Sequence, residues 1–336
     1  MDRTDYNQLF EKFNDLNVLI IGDVMIDSYI WGKVDRISPE APVPVVSVNK
    51  RENRLGGAAN VALNVNALGA NPVLCSVLGD DPKADEFIDL LAKSGMSDKG
   101  MIRSSERITT TKFRVIGNRV QMLRVDEEIT TLLSEEDEKR LYNRFLDILS
   151  EQNINVIIFQ DYDKGVITPG IIEKVVAMAG KKSIPVAVDP KKNNFLVYKN
   201  VNLFKPNLKE LKEGLHIDLS ATDTDGLKKA AGQLRSMLNT EIILITLSEE
   251  GIFVDYRDGD EKSTHVIPST VRNVSDVSGA GDTVISVASL CLALHLPAEE
   301  IAFISNLAGG LVCERVGVVP VVKDQLLKEI LKLRQE

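Results

Sequence analysis

The sequence predicts a doubly wound α/β fold, in which a mostly parallel β-sheet is flanked by helices on both faces. Short β-branched runs typical of buried parallel strands occur at residues 18–21, 73–78, 156–159, 185–189 and 242–246. Amphipathic helical stretches lie between them, at residues 60–68, 135–149, 169–179 and 226–238. This strand–helix alternation favours parallel pairing, because each helix carries the chain back to the start of the next strand.

Two segments depart from the alternation and predict a small β lid inserted into one domain that spans residues 1–336. Residues 29–49 are rich in proline, valine and aromatic residues, and residues 108–125 alternate as a strand pair would. Gly117-Asn118 is suited to the turn between those two strands. A lid of this kind excludes water from a reaction site. A surface sheet or a dimer contact would leave the same pattern.

The composition excludes several classes of partner. A net charge of −9 argues against nucleic acid or an anionic membrane as the main partner, since both select basic surfaces. The first residues form no apolar signal core, and no run approaches the ~20 apolar residues of a membrane span. We therefore expect a cytoplasmic protein.

The cysteines and histidines predict neither disulfides nor a zinc site. Cys75, Cys291 and Cys313 are odd in number and stand among apolar residues, so we expect buried free thiols. The three histidines have no paired spacing of the kind that binds zinc.

The most informative motif is Asp-Val-Ser-Gly-Ala-Gly-Asp at residues 276–282, which opens an apolar helix. Gly279, Ala280 and Gly281 would leave backbone N–H groups free at a helix start, where the dipole also favours an anion such as phosphate. A carboxylate beside that anion, Asp282, is suited to take a proton from an attacking hydroxyl. The alternative is that Asp282 only caps the helix and the glycines only make a turn.

This motif resembles the C-terminal signature of the PfkB (ribokinase-like) carbohydrate kinases, with Ser278 where threonine is usual. Residues 56–62, Gly-Gly-Ala-Ala-Asn-Val-Ala, resemble the N-terminal signature of the same family. The resemblance implies a ribokinase-like fold, ATP as phosphoryl donor and Mg²⁺ as cofactor. No Walker A loop or protein-kinase signature is present, so the glycine-started helix must hold the ATP phosphates.

A sugar pocket is expected where the first strand ends. Asp27 lies there, and the resemblance implies that it accepts hydrogen bonds from sugar hydroxyls; a solvated loop acid is the alternative. Gly56 and Gly57 allow close approach of a polyol to the backbone, and Asn60 can donate and accept at once.

The resemblance also implies a nucleotide and metal site. Asn207 and Glu210 match the Asn-x-x-Glu unit that organises Mg²⁺ and the phosphates, directly or through water, although a capping box has the same spacing. Nucleotide contacts are implied for Ser248, Gly251 and Asn306, although residues of this kind are more often plain turn and core positions. Asp276 lies where some relatives bind K⁺.

Three further segments, 35–45, 160–165 and 189–191, resemble the kinases that act on D-glycero-D-manno-heptose 7-phosphate. A substrate with a phosphate at its far end requires cations there. The basic candidates are Arg36, Lys112, Arg114, Arg119, Arg124 and Lys164. One departure concerns this region, because Asn118-Arg119-Val120-Gln121 stands where Arg-Asn-Gln-Gln is common.

We therefore expect an ATP-dependent kinase that phosphorylates the anomeric hydroxyl of the heptose phosphate and supplies heptose 1,7-bisphosphate for ADP-heptose and lipopolysaccharide synthesis. We expect two copies of the chain to form a homodimer through the lid. We also expect a stand-alone kinase, since the sequence lacks the His-x-Gly-His motif of the nucleotidyltransferase fused to many relatives. The alternatives are a PfkB kinase of ribose, fructose or a fructose phosphate, and a non-catalytic sugar or nucleotide sensor.

Overall fold

The computed structural model describes residues 3–258, 261–270 and 273–334. Its strands are β1 (Asn17–Gly22), β2 (Val24–Ile37), β3 (Pro44–Gly57), β4 (Asn71–Gly79), β5 (Met101–Ser104), β6 (Thr111–Gly117), β7 (Val120–Glu127), β8 (Val156–Gln160), β9 (Val186–Asp189), β10 (Leu203–Phe204), β11 (Ile242–Thr246), β12 (Ile252–Asp258) and β13 (Glu261–Ile267). Its helices are α1 (Arg3–Lys12), α2 (Ala58–Ala67), α3 (Pro82–Lys93), α4 (Glu135–Glu151), α5 (Pro169–Lys182), α6 (Leu208–Leu215), α7 (Thr224–Leu238), α8 (Ala280–Ala293), α9 (Ala298–Val312) and α10 (Lys323–Leu333).

Nine strands form the main sheet, in the order β13-β12-β11-β10-β9-β8-β1-β4-β5. The strands from β11 to β5 pair in parallel, and β12 and β13 add an antiparallel edge. The predicted mostly parallel sheet is confirmed, and each of the five predicted strands is present. The sequence patterns missed β5 and β10, which are too short to show a period, and the antiparallel β12 and β13.

Helices cover both faces of this sheet and create two cores. Along β1, Val18 and Ile20 point into a core shared with α1, α2, α3, α8, α9 and α10. Leu19 and Ile21 point the other way, into a core shared with α4, α5, α6 and α7. The alternation follows from the period of two in a strand. Burial on both faces explains why β1 reads as a continuous apolar run.

A second sheet of four strands, in the order β3-β2-β6-β7, fits the predicted lid. The first strand pair extends beyond the predicted segment 29–49 at both ends, from Val24 to Gly57, whereas the second begins three residues later than predicted and ends two residues later, from Thr111 to Glu127. The predicted turn at Gly117-Asn118 is wrong by one residue. Asn118 and Arg119 form the turn, with φ of 51° and 68°. The lid leaves the body directly after β1 and returns directly into α2, so its base lies at the carboxyl end of β1.

The three cysteines are free thiols, as predicted. Cys75 and Cys291 are buried, whereas Cys313 is only half-buried. In the described ranges no helix has both the length and the apolar character to cross a bilayer.

Candidate active site

The carboxyl ends of the central strands bring polar side chains together at one edge of the main sheet. Gln160 ends β8, Asp189 ends β9, and Lys205 follows β10. Lys205 and Asp189 form a buried ion pair with an Nζ–Oδ1 distance of 3.1 Å. Helix α8 begins directly above this pair, because a Cβ placed on Gly281 would lie 3.7 Å from the Nζ of Lys205. Open α/β sheets bind ligands at this edge.

Asp282 lies in the first turn of α8 and is only 7% exposed. Its Oδ2 accepts a hydrogen bond of 2.6 Å from the Nδ2 of Asn60. Its Oδ1 accepts hydrogen bonds from the hydroxyl of Tyr162 at 2.7 Å and from the Nε2 of Gln160 at 3.3 Å. The carboxylate is therefore oriented by three donors from α2, β8 and the loop after β8.

Burial raises the pKa of Asp282 to about 6. The hydrogen bonds from Asn60 and Tyr162 oppose that rise, the carboxylate of Asp189 adds to it, and Lys205 opposes it. The group is ionised at neutral pH and yet binds a proton more readily than an ordinary aspartate. A carboxylate with these properties is suited to general-base catalysis.

The backbone at the start of α8 forms the expected anion site only in part. Gly279 has a φ of 81°, a conformation that favours glycine. The N–H groups of Gly279 and Gly281 donate to no acceptor in the described parts of the chain, but the N–H of Ala280 donates to the carbonyl of Val277 at 3.3 Å. The expectation of three free N–H groups is thus wrong for Ala280, because its N–H closes the turn that precedes the helix.

The expected sugar residues lie around the base of the lid. Asp27 is buried and pairs with Arg114 at 2.6 Å. Gly56 lies against this carboxylate, since a Cβ there would come within 2.7 Å of the Oδ2 of Asp27. Gly57 is the residue directly before α2, and Asn60 reaches Asp282 instead of Asp27. The four residues therefore lie along a path from the lid to the candidate base.

Asp23, the other acid after β1, has a structural role. Its carboxylate accepts three backbone hydrogen bonds, from Tyr162 at 2.8 Å, Lys164 at 3.1 Å and Val166 at 3.0 Å. Burial and the neighbouring Asp161 raise the pKa of Asp23 to about 6. Asp23 thus fixes the loop that presents the Tyr162 hydroxyl to the candidate base.

Asn207 and Glu210 form a complete capping box at the start of α6, with distances of 2.8 and 2.9 Å. The second carboxylate oxygen of Glu210 pairs with Lys191. Burial opposes the charge on Lys191, but the carboxylates of Asp189 and Glu210 outweigh that effect and raise the pKa of Lys191. Among the described residues there is no group of three or more His, Cys, Asp or Glu side chains arranged to hold a metal.

The expected nucleotide residues meet near the end of β13. Ser248 and Gly251 form the turn after β11, in which the N–H of Gly251 donates to the carbonyl of Ser248 at 3.1 Å. The Nδ2 of Asn306 donates to the carbonyl of Pro268 at 2.9 Å.

Asp276, the candidate K⁺ ligand, accepts hydrogen bonds from the N–H groups of Ser278 and Gly317, both at 2.9 Å, so its carboxylate orders the loop before α8.

Acidic neighbours engage most of the basic residues expected to bind the substrate phosphate. Asp126 pairs with Lys112 at 3.2 Å and with Arg124 at 3.0 Å. Glu128 pairs with Lys112 at 3.3 Å and with Lys164 at 2.7 Å.

The structure does not bring Arg36 to the other candidates. It is exposed near the outer end of β2, nine residues beyond Asp27 and thus roughly 30 Å along the extended strand.

The interpretation of the sequence gave no role to Gln160, Tyr162, Asp189, Lys191 or Lys205, which surround the candidate base. The sequence does contain a signal that could have identified three of them. Gln160, Asp189 and Lys205 stand where buried parallel strands end, and such positions meet at one edge of the sheet.

The fold and this geometry match those of an α/β enzyme that transfers a phosphoryl group to a hydroxyl, because a buried carboxylate lies beside N–H donors at a helix start that have no partner in the described ranges.

The family follows from sequence comparison. The family model for the pfkB family carbohydrate kinases matches residues 15–324, and the chain belongs to this family. Bifunctional protein HldE of Geotalea uraniireducens is 38% identical over 98% of this chain and 66% of its own length. HldE of Methylobacillus flagellatus is 39% identical over 93% of this chain and 63% of its own length. The chain thus spans about two thirds of the length of these relatives.

Solved structures share the fold. Phosphofructokinase-2 from Escherichia coli in complex with potassium superimposes with a TM-score of 0.77 at 19% identity, covering 96% of this chain and 99% of the other. Arabidopsis thaliana ribokinase complexed with ribose and ATP gives a TM-score of 0.70 at 16% identity, covering 93% and 99%. The predicted ribokinase-like architecture is confirmed.

Proposed function

We propose that this carbohydrate kinase uses ATP to phosphorylate the anomeric hydroxyl of D-glycero-D-manno-heptose 7-phosphate, giving heptose 1,7-bisphosphate for ADP-heptose synthesis in the cytoplasm. The observation that carries the chemistry is the buried carboxylate of Asp282 beside the N–H groups of Gly279 and Gly281, for which the described part of the chain offers no acceptor. The choice of sugar is supported by the resemblance of residues 35–45, 160–165 and 189–191 to heptose 7-phosphate kinases and by the similarity to HldE.

In the proposed reaction, Asp282 takes the proton of the anomeric hydroxyl while that oxygen attacks the γ-phosphorus of ATP in line, and the bond from the γ-phosphorus to the bridging oxygen breaks to release ADP. The N–H groups of Gly279 and Gly281 donate to the transferring phosphoryl group, and Lys205 lies beside the same backbone. Such preorganised donors stabilise the charge that develops in the transition state. The hydrogen bonds from Asn60 and Gln160 hold the carboxylate in one orientation during the transfer.

The residues of this site are suited to an Mg²⁺ ion that is held mainly by the nucleotide phosphates and by water. Glu210 already binds Lys191 and the N–H of Asn207, and Asp189 already binds Lys205, so these oxygens would face the ion largely through water. When bound, Mg²⁺ neutralises charge on the transferring phosphates. A K⁺ ion beside Asp276 would share the carboxylate with two backbone N–H groups.

Turnover on a substrate panel tests the proposed function. We expect ADP release with heptose 7-phosphate to exceed release with ribose, fructose and fructose 6-phosphate, and the product to carry its new phosphate at C1. Higher kcat/KM on a hexose or hexose phosphate would reassign the sugar. Tight binding without turnover on any sugar would favour a sensor.

A homodimer through the lid is part of the proposal. Leu123 and Val125 are 56% and 44% exposed and lie on the face of β7 opposite Arg124. An apolar lid face of this kind is suited to a second copy of the chain. We expect Leu123→Lys with Val125→Lys to convert a dimer into a monomer in light scattering. Met237→Lys, at a 43% exposed site on α7, should not. A monomeric native protein would contradict the dimer.

A further inference from the structure

Two arginines flank one tyrosine on the lid face that carries Asp27. Tyr29 follows Asp27 by two residues on β2, so both side chains lie on the same face. The guanidinium carbon of Arg54 lies 4.9 Å from the centre of the Tyr29 ring, and that of Arg114 lies 5.3 Å from it. The two guanidinium carbons are therefore no more than about 10 Å apart.

This cluster of Tyr29, Arg54 and Arg114 retains unused donors. Arg54 donates its Nε to Glu52 at 2.6 Å, and neither of its terminal nitrogens has a hydrogen bond within the described ranges. Toward the described residues, Arg114 donates only through Nη1, to Asp27 and to the carbonyl of Lys112. The hydroxyl of Tyr29 has no hydrogen-bond partner among the described residues, although the residue is only 8% exposed.

The arginines of the cluster differ in this respect from Lys112, the lid cation nearest to them on β6. Lys112 is bound by two carboxylates, Asp126 and Glu128. In the cluster each arginine is bound by one carboxylate, which fixes the guanidinium group and leaves part of its donor edge free. The side chains of Arg54 and Arg114 remain 30% and 21% exposed, so a ligand can reach them.

The position of the cluster links it to the sugar pocket. Arg114 touches Asp27, and Nη1 of Arg54 would lie 2.9 Å from a Cβ on Gly317. The N–H of Gly317 binds Asp276 in the loop that leads to α8. The cluster thus lies between the base of the lid and the loop before α8, beside the carboxylate of Asp27, which is expected to bind sugar hydroxyls.

We propose that Arg54, Arg114 and Tyr29 bind the phosphate at the far end of the sugar substrate, and that Arg54 determines specificity for a phosphorylated sugar. The inference rests on the proposed function. A dianion between two guanidinium groups receives charge-assisted hydrogen bonds, and the tyrosine hydroxyl adds a third donor. A sugar without this phosphate has no dianion for Arg54 to bind.

Steady-state kinetics of Arg54→Gln test the assignment. We expect KM for heptose 7-phosphate to rise about 10- to 100-fold, the range for lost hydrogen bonds to a charged group. KM for ATP and kcat/KM for the same heptose without phosphate should stay unchanged. Arg51→Gln is the matched control, because it removes the same charge from an exposed position on the opposite face of β3. Equal losses on both sugars, or no loss, would overturn the proposal.

Trp31 gives a readout independent of turnover. It is the single tryptophan of the chain and stacks on Tyr29 with ring centres 6.1 Å apart. We expect heptose 7-phosphate, and more weakly inorganic phosphate, to change its fluorescence saturably in the native protein and with at least tenfold lower affinity in Arg54→Gln. An unchanged affinity in the variant would contradict the proposal.

Tyr29→Phe keeps the assignment testable if Arg54→Gln does not fold. The loss of one hydroxyl donor should raise KM for the phosphosugar about 2- to 10-fold and leave the neutral sugar unaffected. If the native protein phosphorylates no sugar phosphate, the proposed function fails. The phosphate titration still decides whether the cluster binds an anion, and absence of binding to the native protein would reject it.

Discussion

Replacement of Asp282 by asparagine should lower kcat by about 10²- to 10⁴-fold, the usual contribution of a positioned general base. Asparagine has nearly the same shape, so the helix start and ATP affinity should be retained, while the group that takes the proton is lost. Single-turnover kinetics with ATP and the preferred sugar measure the change. Asp225→Asn, an exposed acid in the first turn of α7, is the matched control. Near-native turnover in Asp282→Asn would reject the mechanism.

The pH dependence of the native enzyme provides a second measurement on the same residue. The base must be ionised to act, and burial raises the pKa of Asp282 to about 6. Activity should therefore be complete above that pH and fall about tenfold for each unit below it. A plot of kcat/KM against pH checks this, and a limb near pH 4 would show that Asp282 has the ordinary pKa of an aspartate.

Replacement of Asp189 by alanine should destabilise the fold by about 3–5 kcal/mol, because the change leaves the charge of Lys205 buried without its partner. The side chain of Lys205 is 2% exposed and that of Asp189 is 6% exposed. Water therefore cannot solvate the orphaned ammonium group without local opening. Urea denaturation followed by circular dichroism measures the free energy of unfolding.

Two further variants separate the buried charge from other effects. Asp189→Ala combined with Lys205→Met removes both charges and should recover most of the lost stability. Lys209→Ala tests an exposed pair, since Lys209 and Glu213 are 82% and 43% exposed, and should cost no more than about 0.5 kcal/mol. A loss in the double variant as large as in Asp189→Ala would disprove the buried-charge explanation.

The elements that could be predicted are those whose packing leaves a periodic pattern. The apolar run at 18–21 predicts β1 because both faces of that strand are buried. The helical pattern at 135–149 predicts α4, which ends only two residues later. Strand β10 has only two residues, Leu203–Phe204, and exists because β9 and β11 pair with it from either side. No local pattern of that length can specify a strand.

The candidate base and the glycines before it could also be predicted, because Asp282 and these glycines lie within one turn of the start of one helix. The residues that donate hydrogen bonds to Asp282 could not be predicted. Asn60 donates to Asp282 across 222 residues of sequence, and Tyr162 across 120. The sequence also does not show whether Asn207 and Glu210 cap a helix, since the same spacing suits a capping box and a metal site. The two hydrogen bonds of the capping box are visible only in the folded chain.

The sequence by itself therefore determined the fold class, the family signatures and the residue that serves as the candidate base. Only the tertiary structure decided which lid cations are bound by two carboxylates, as Lys112 is by Asp126 and Glu128, and which keep donors without a partner in the described ranges beside a single carboxylate, as Arg54 does. The physical reason is that the pairing of β6 with β7 places Asp126 opposite Lys112. A charge pattern read along one strand does not show which partner lies opposite.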